Sequence, residues 1–305
     1  MRLVLIVNAS ASSVTARARV VIGKALAADH RVTIAETSRR GHASRLAQGA
    51  AADGVDVVVV LGGDGTLNEA ANGLAGTSTA LGVLPGGSTN VFARTIGMTN
   101  DPVEATGELL RALARDSIRP VSLGRVNGRY FLFHVGIGYD AAVVEAVERQ
   151  GTLKRYAGHP LFLSKAVTTW ARSYDRHHPH FRVEMPGHPS IEDGYFAICA
   201  KTNPYTFLRD RPLDVAPGTG LDTGLSMVTF RTLDLHTLLP LVASALHGGR
   251  RLAHHRSVDV TRDPDQVVVT GFGPVPYQVD GDYLGTAERL ELVAIPDALR
   301  LVIPL

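Results

Sequence analysis

The segment from Val57 to Gly73, VVVVLGGDGTLNEAANG, restricts the possible folds more than any other part of the sequence. It begins with an unbroken run of β-branched and apolar residues, Val57 to Leu61, which is typical of a strand buried on both faces of a parallel sheet. Glycines then let the backbone turn sharply and let a ligand approach main-chain amides. These glycines are Gly62, Gly63 and Gly65.

A helix is predicted directly after this loop. Thr66 and Glu69 have the Thr-x-x-Glu spacing of a capping box, so we expect the helix to start at Thr66. A strand, a glycine loop and a helix start together can bind an anion. Asp64 lies among the glycines, where a carboxylate suits Mg²⁺ or a metal-bound water better than a bare phosphate. Taken alone, such a loop is equally compatible with a tight turn, and it matches neither the Walker A nor the dinucleotide-binding spacing.

The same strand-then-helix alternation runs from the first residues to about residue 120. Strands are predicted at 3–7, 32–35, 57–61 and 80–84, with helices between them, which favours a mostly parallel sheet. Beyond residue 120, Asn127-Gly128 predicts a hairpin and short strand-like runs follow, as in an antiparallel sandwich. The predicted fold is therefore an α/β domain over 1–120 and a β-sandwich over 121–305, whose last strand could return to the first domain.

Two further polar loops are predicted at the same sheet edge as the first. The strand ending at Leu84 leads into PGGSTNVFAR, and the first strand leads into a loop of small and hydroxylated residues from Asn8 to Ser13. Consecutive parallel βα units place such loops at one edge of the sheet. Three polar loops at one edge favour a phosphate site over three unrelated turns.

Near the carboxyl end, the sequence Asp280-Gly281-Asp282 places two carboxylates around a glycine. A hairpin turn and a metal-binding or general-base role are equally compatible with these residues.

The segment 149–180 mixes basic and aromatic residues, which favours a helix packing its aromatic side chains inward over one lying on anionic lipid.

Composition excludes several classes of protein. The 305 residues are 45% hydrophobic and 20% charged, as in an ordinary folded domain, and a net charge of +2 gives no indication of a nucleic-acid partner. Cys199 is the only cysteine, so an intramolecular disulfide and a zinc site of cysteines are excluded, which fits a cytoplasmic protein. The apolar run 238–246 is too short to span a bilayer, so any membrane contact is expected to be peripheral.

The chain resembles the diacylglycerol kinase catalytic family of soluble bacterial lipid kinases, which are relatives of sphingosine and ceramide kinases. The motifs that carry this resemblance are GGDGTLNEAANGL followed by LPGGSTNVFAR, and later GIGYDA, VAPGTGLDTG and VDGDY. The resemblance covers most of the chain. It implies an ATP- and Mg²⁺-dependent enzyme whose α/β domain and β-sandwich bring nucleotide and lipid together. The implied reaction phosphorylates a lipid hydroxyl at the membrane surface, with diacylglycerol giving phosphatidic acid as the leading case. A homodimer remains open.

The resemblance also assigns roles to individual residues. It implies that Asp282 is the base that deprotonates the lipid hydroxyl and that Asp64 organises Mg²⁺. Further metal contacts are implied for Asp222 and Asp280. The residues implied in nucleotide binding are Asn8, Thr37, Gly62, Gly63, Gly65, Thr66, Asn68, Glu69, Gly86, Gly87, Ser88, Thr89, Asn90 and Arg94.

The chain departs from the family pattern at several of these positions. Val91 stands where the family commonly has aspartate, and Asp282 stands where it has glutamate. A structural cation is implied near Asp222, but Thr223 and Ser226 replace acidic residues there. Two alternatives therefore accompany the lipid kinase: an NAD kinase, which shares GGDGT but lacks the LNEA and PGGSTN continuations, and a lipid- or nucleotide-binding regulatory protein without turnover.

Overall fold

The computed structural model describes residues 1–149, 162 and 164–305. The chain forms two compact units, unit 1 from Met1–Leu123 with Ile295–Leu305, and unit 2 from Gly124–Ala294. Within the described residues, none of the helices combines the length and apolarity needed to cross a bilayer.

Unit 1 alternates strands and helices around a parallel sheet. Its strands β1 to β4 lie in the order β2-β1-β3-β4, and the end of the last strand of the chain pairs in parallel with β4. Every residue of β3 and β4 is buried, as expected for strands covered on both faces. The elements are β1 Arg2–Val7, α1 Ala16–Asp29, β2 Arg31–Glu36, α2 His42–Ala52, β3 Val57–Gly62, α3 Asp64–Leu74, β4 Ala80–Pro85, α4 Val91–Thr95 and α5 Pro102–Ala114.

Unit 2 is built mainly from antiparallel strands. Its central order is β14-β13-β10-β7-β15-β16, and β8 pairs with both β15 and β9. β5 begins in unit 1 and ends in unit 2, and β16 begins in unit 2 and ends in unit 1. The elements after α5 are β5 Ile118–Val126, β6 Arg129–Phe131, β7 His134–Gly138, α6 Tyr139–Glu148, a π-helix Thr169–Ser173, β8 Phe181–Glu184, β9 Ile191–Gly194, β10 Phe196–Ala200, β11 Thr206–Leu208, β12 Arg211–Leu213, β13 Ser226–Phe230, α7 Leu235–Ala245, α8 Arg250–Ala253, β14 Val258–Arg262, β15 Val267–Val279 and β16 Asp282–Val302.

The predicted fold class is confirmed, with a parallel α/β part followed by antiparallel strands. The predicted hairpin is also present, since Asn127 and Gly128 connect β5 to β6 with positive φ angles of 44° and 88°. The final strand supplies residues to both units, and its Arg300 and Leu301 pair with β4.

The described part of the basic and aromatic segment packs its rings against the protein. The Trp170 indole donates to the Leu233 carbonyl at 2.7 Å, and the Tyr174 hydroxyl donates to the Tyr195 carbonyl at 2.9 Å. Arg176 covers the Trp170 ring at 4.2 Å. Residues 150–161 and 163, which include Lys154, lie outside the described residues.

Candidate functional site

Three loops at the carboxyl edge of the unit 1 sheet are joined by backbone hydrogen bonds. The Gly86 amide donates to the Gly62 carbonyl at 2.8 Å, which ties the loop after β4 to the loop after β3. Ser13, in the loop after β1, donates its amide to the Gly86 carbonyl at 2.9 Å and its hydroxyl to the Gly87 carbonyl at 3.0 Å. The loops that the sequence placed at one edge therefore form a single surface.

The glycines of this surface pack directly against one another. A Cβ on Gly86 would lie 2.8 Å from both Cα and N of Gly62, and a Cβ on Gly87 would lie 2.8 Å from Cα of Gly63. Real Cβ atoms do not approach backbone so closely. The glycines at these positions therefore allow the two loops to meet, and a surface of main-chain groups results.

Helix α3 begins at this surface, two residues earlier than predicted. Its first residue is Asp64, and its N-cap is Gly63, which has no side chain to accept a hydrogen bond from the first turn. The predicted capping box is wrong. The Glu69 carboxylate instead accepts the amides of Gly41 at 2.6 Å and Ala43 at 3.1 Å, at the start of α2. The positive end of the α3 dipole is thus available to an anion at the loop surface.

The Asp64 carboxylate joins α3 to the next helix. Its two oxygens accept the amides of Val91 at 3.0 Å and Phe92 at 3.1 Å, so it caps the amino terminus of α4. The side chain is only half-buried. Carboxylate oxygens have further lone pairs, so capping α4 and contacting a ligand at the loop edge are compatible.

The donors around Asp64 suit Mg²⁺ only when a ligand supplies more oxygens. Val91 stands where the family pattern has a second carboxylate. Among the described residues, no three or more His, Cys, Asp or Glu side chains lie together in a way that could hold a metal ion. Mg²⁺ commonly keeps several waters and binds through one or two carboxylates together with substrate phosphates. Asp64 therefore fits a metal that arrives with a nucleotide, not a protein-only metal site.

Asn90 shapes the loop before α4. It has a left-handed backbone with φ of 50° and is 3% exposed. Its amide group accepts from the Gly87 amide at 2.7 Å and donates to the Gly87 carbonyl at 3.0 Å and to Asn100 at 2.7 Å. Ser88 is exposed, and Thr89 and Arg94 are half-buried. Asn90 therefore sets the loop conformation, whereas its neighbours are the residues within reach of solvent.

Other predicted nucleotide residues lie in or beside the same loops. Asn8 donates to the Thr66 hydroxyl at 2.9 Å, which connects the β1 loop to α3. Thr37 follows β2 and donates its amide to the Val7 carbonyl at 2.9 Å. Asn68 differs, because it is 1% exposed and its side chain accepts from Asn72 at 3.2 Å. Its burial on α3 argues against direct contact with a nucleotide.

In unit 2, Asp280 and Gly281 form the hairpin turn between β15 and β16, with φ angles of 49° and 81°. The Asp280 carboxylate is buried and accepts three backbone amides at 2.7 to 3.0 Å. These belong to Leu132, Phe133 and His134. A carboxylate engaged in this way stabilises the β6–β7 connection, which argues against the metal role expected for Asp280.

Asp282 has a different environment from Asp280. It is the first residue of β16, its side chain is 21% exposed, and it lies 3.7 Å from the Arg129 guanidinium. The position of its turn depends on Gln278, whose side-chain oxygen accepts the Gly281 amide at 2.8 Å. Of the two carboxylates, Asp282 is the one that a solvent-borne acceptor can reach.

A buried polar network holds Gln278 in place. The Asp140 carboxylate accepts from the Gln278 amide at 2.9 Å and from the Tyr205 hydroxyl at 2.5 Å. Burial raises the pKa of Asp140, and it raises the pKa of Tyr205 well above the usual value, with a further contribution from Asp140. The GIGYDA motif thus supports the turn that carries Asp282.

The remaining predicted metal residue, Asp222, is exposed in unit 2. Its neighbourhood lacks the acids of the family pattern. The Ser226 hydroxyl accepts from the Thr219 hydroxyl at 2.7 Å, and the Thr223 hydroxyl donates to the Gly220 carbonyl at 3.1 Å. The side chain of Lys201, which belongs to none of the sequence motifs, points at the backbone of the same turn.

Ser13 and Lys201 are the site residues that sequence reasoning missed. Ser13 belongs to the serine-rich loop after β1, but its partners Gly86 and Gly87 are more than 70 residues away in the chain. Lys201 is one of four lysines, and no local pattern distinguishes it. In both cases the informative partners are brought close only by the fold.

Comparison with known proteins agrees with the predicted family. The model of the diacylglycerol kinase catalytic domain matches residues 2–126. A diacylglycerol kinase of Bacillus subtilis (strain 168) is 39% identical over 105 residues, which are 33% of each chain. A YegS-like lipid kinase of Chromohalobacter salexigens is 34% identical over 144 residues, which are 46% of this chain and 44% of the relative. The matched region thus spans less than half the length of these relatives.

A longer alignment exists at lower identity. A diacylglycerol kinase of Staphylococcus carnosus (strain TM300) is 24% identical over 252 residues, which are 82% of this chain and 77% of the relative. A solved diacylglycerol kinase structure from Bacillus anthracis str. Sterne has a TM-score of 0.71 at 19% identity and covers 99% of this chain and 96% of the other. At that identity, the structural likeness bears on the fold, which it supports over nearly the whole chain.

Proposed function

Because residues 2–126 match the model of the diacylglycerol kinase catalytic domain, we propose that this chain is an ATP-dependent lipid kinase. The proposed reaction transfers the γ-phosphoryl group of ATP to a lipid hydroxyl, with diacylglycerol as the leading acceptor and phosphatidic acid as the product. The observation that carries the proposal is the surface of joined glycine loops, because it combines main-chain groups with the uncapped start of α3. Such surfaces bind phosphates in other nucleotide-binding folds.

On the nucleotide side, unit 1 supplies binding and orientation. The loop amides and the start of α3 hold the phosphates, and Thr66, fixed by Asn8, keeps a hydroxyl at the same edge. Ser88, Thr89 and Arg94 are the side chains nearest to solvent after β4, and they contact the nucleotide from that loop. Mg²⁺, held by Asp64 together with the phosphates, would neutralise the charge that develops during transfer.

On the acceptor side, Asp282 orients the lipid hydroxyl and accepts its proton as the bond from its oxygen to the γ-phosphorus forms and the bond from that phosphorus to ADP breaks. A positioned base of this kind typically contributes roughly 10²- to 10⁴-fold to the rate. Arg129 holds the Asp282 side chain, and the Gln278–Gly281 hydrogen bond holds the turn. Asp282 is one methylene shorter than glutamate, so the position of this turn must compensate for the shorter reach.

A transfer assay with γ-labelled ATP tests the proposal. Vesicles that contain diacylglycerol, sphingosine, ceramide or another lipid alcohol are compared with soluble NAD as acceptors. We expect label in lipid, most of all in phosphatidic acid, and none in NAD. Label in NADP would identify the chain as an NAD kinase. No transfer to any acceptor, with ATP still bound, would instead support a regulatory protein without turnover.

We further propose that the enzyme reaches its substrate through a surface of α7 in unit 2. Leu239 and Val242 are 64% and 50% exposed, and Leu235 is 37% exposed, although all are large and apolar. The spacings of four and three residues place them on one face of the helix, beside the side that buries Leu241 and Ala245. We call Leu235, Leu239 and Val242 the α7 ridge.

The charge around the α7 ridge favours an anionic membrane as its partner. Residues 235–256 contain no aspartate or glutamate, and the exposed arginines Arg250, Arg251 and Arg256 follow the helix directly. An apolar ridge next to basic side chains is the pattern of a helix that lies at the lipid interface. Anionic lipid attracts such a cluster by about 1 kcal/mol for each basic side chain near the surface.

Vesicle sedimentation tests the α7 ridge. The double variant Leu239→Ser and Val242→Ser should bind vesicles of anionic phospholipid roughly 10- to 100-fold more weakly, because each side chain loses about 1 kcal/mol of apolar burial, or about 2 kcal/mol for the pair. Phe272→Ser, at another apolar residue that is 58% exposed, should bind like the wild type. Unchanged vesicle binding, with a dimer converted to a monomer in sedimentation velocity, would instead assign the ridge to contact between two copies of the chain.

A further inference from the structure

The ammonium of Lys201 lies inside unit 2, surrounded by main-chain oxygens. The residue has no exposed surface. Its Nζ donates to the carbonyls of Gly220 at 2.8 Å, Leu221 at 3.3 Å and Thr223 at 2.9 Å. An ammonium has three N–H donors and no acceptor, so these carbonyls use its full hydrogen-bonding capacity.

The surrounding charges keep this lysine protonated near neutral pH. Burial lowers the pKa of Lys201 to about 8, while the nearby carboxylates of Asp222 and Asp263 raise it in part. Asp263 also fixes the turn from the other side, because it accepts the Gly224 amide at 2.7 Å. The cationic form therefore occupies the turn at pH 7.

The same carbonyls have the chemistry of a divalent-cation site. Main-chain oxygens are ligands for Ca²⁺ and Mg²⁺, and the family resemblance implies a structural cation close to Asp222. Nζ already lies at hydrogen-bond distance from these oxygens, so a metal among them would meet a positive charge at close range. The residues present here therefore do not fit a divalent cation.

We propose that the Lys201 ammonium is the resident cation of the turn from Gly220 to Gly224 and replaces a structural metal there. The turn gathers three carbonyl dipoles around one buried point, which is unfavourable unless a positive charge or hydrogen-bond donors lie between them. The lysine supplies both from within the chain. Folding of this turn is consequently independent of divalent cations, whatever unit 1 requires for phosphoryl transfer.

Thermal unfolding of Lys201→Ala, measured without nucleotide, tests this proposal. Loss of the ammonium removes one charged donor from each of the three carbonyls, which should lower Tm by about 3–10 °C. Methylammonium is small enough to enter the space left by the side chain and should restore part of the loss. Tetramethylammonium carries the same charge but has no N–H donor, so it should restore none. Lys24→Ala, at an exposed lysine of α1, should unfold like the wild type.

Three results would overturn the proposal. One is a Tm for Lys201→Ala equal to that of Lys24→Ala. Another is an equal response of Lys201→Ala to the two ammonium ions, which would reduce the lysine to a space-filling role. The third can be obtained even if Lys201→Ala does not fold. It is binding of Ca²⁺ or Mg²⁺ to the wild type in a calorimetric titration, when the same titration of Asp222→Asn shows no binding. We expect no such binding.

Discussion

The loop after β3 and the turn before β16 both place aspartate beside glycine at the end of a strand, yet the two aspartates differ in what can reach them. Asp64 accepts two amides and remains half-buried, whereas Asp280 accepts three amides and is 3% exposed. The accessible carboxylate of the second region is Asp282, two residues along the chain. The sequence pattern is shared, but burial decides which carboxylate can act on a ligand.

The largest effect is expected for Asp64→Asn, which should abolish phosphoryl transfer. The change removes the negative charge that would bind Mg²⁺ with the phosphates, while the remaining side-chain oxygen can still accept an amide of α4. We expect a loss of only about 1 kcal/mol in the free energy of unfolding, the usual cost of weakening a cap. Transfer assays and thermal unfolding of the same preparation check this result. Near-normal turnover would remove Asp64 from the chemistry.

The second largest effect is expected for Asp282, the accessible carboxylate at the turn before β16. Asp282→Asn should lower kcat by roughly 10²- to 10⁴-fold, because a positioned base is lost. Asp282→Glu should retain kcat or raise it, because it restores the longer side chain of the family pattern. Steady-state kinetics with saturating ATP measure both variants. Full activity of Asp282→Asn would show that the base lies elsewhere.

A smaller effect is expected where the loops of unit 1 touch. Gly86→Ala should destabilise the protein by about 1–3 kcal/mol and weaken ATP binding, because the new methyl group overlaps Gly62. Gly49 lies in α2, and a Cβ there meets no atom within 4 Å, so Gly49→Ala is a matched control that should be neutral or stabilising. Denaturant unfolding compares the two. Equal stability of both variants would contradict the close packing of the loops.

The smallest effect on activity is expected at Asp280, and it separates the two aspartates of the turn. Asp280→Asn should cost about 1–3 kcal/mol of stability, because its amide group would face a backbone N–H that needs an acceptor. Its kcat per folded molecule should remain near the wild-type value. A variant with normal stability and a large loss of kcat would transfer the role of base from Asp282 to Asp280.

The parts of this structure that the sequence predicted correctly depend on local pattern. The apolar run 57–61 and the Asn127-Gly128 turn each specify their own backbone, and β3 and the β5–β6 hairpin appear where expected. The order of strands and helices likewise predicts that the loops after β1, β3 and β4 meet at one edge. These features need no knowledge of distant residues.

The features that the sequence could not decide depend on contacts far apart in the chain. The capping box assumed that Glu69 would serve its own helix, but its carboxylate accepts the amides of Gly41 and Ala43 from another helix. Asp280 is engaged by amides nearly 150 residues earlier. Both side chains can make local or distant hydrogen bonds, and only tertiary packing decides between them, so the residues alone left their roles open.

A titration of ATP into the Asp64→Asn and Asp282→Asn variants tests most directly whether the two regions have separate roles. The proposed mechanism gives nucleotide binding to unit 1 and proton transfer from the acceptor to Asp282. With Mg²⁺ present, we expect Asp64→Asn to bind ATP at least about 10-fold more weakly, a loss of about 1.4 kcal/mol. Asp282→Asn should keep the wild-type Kd although its kcat is lost. Weakened ATP binding in Asp282→Asn, with unchanged binding in Asp64→Asn, would contradict this assignment.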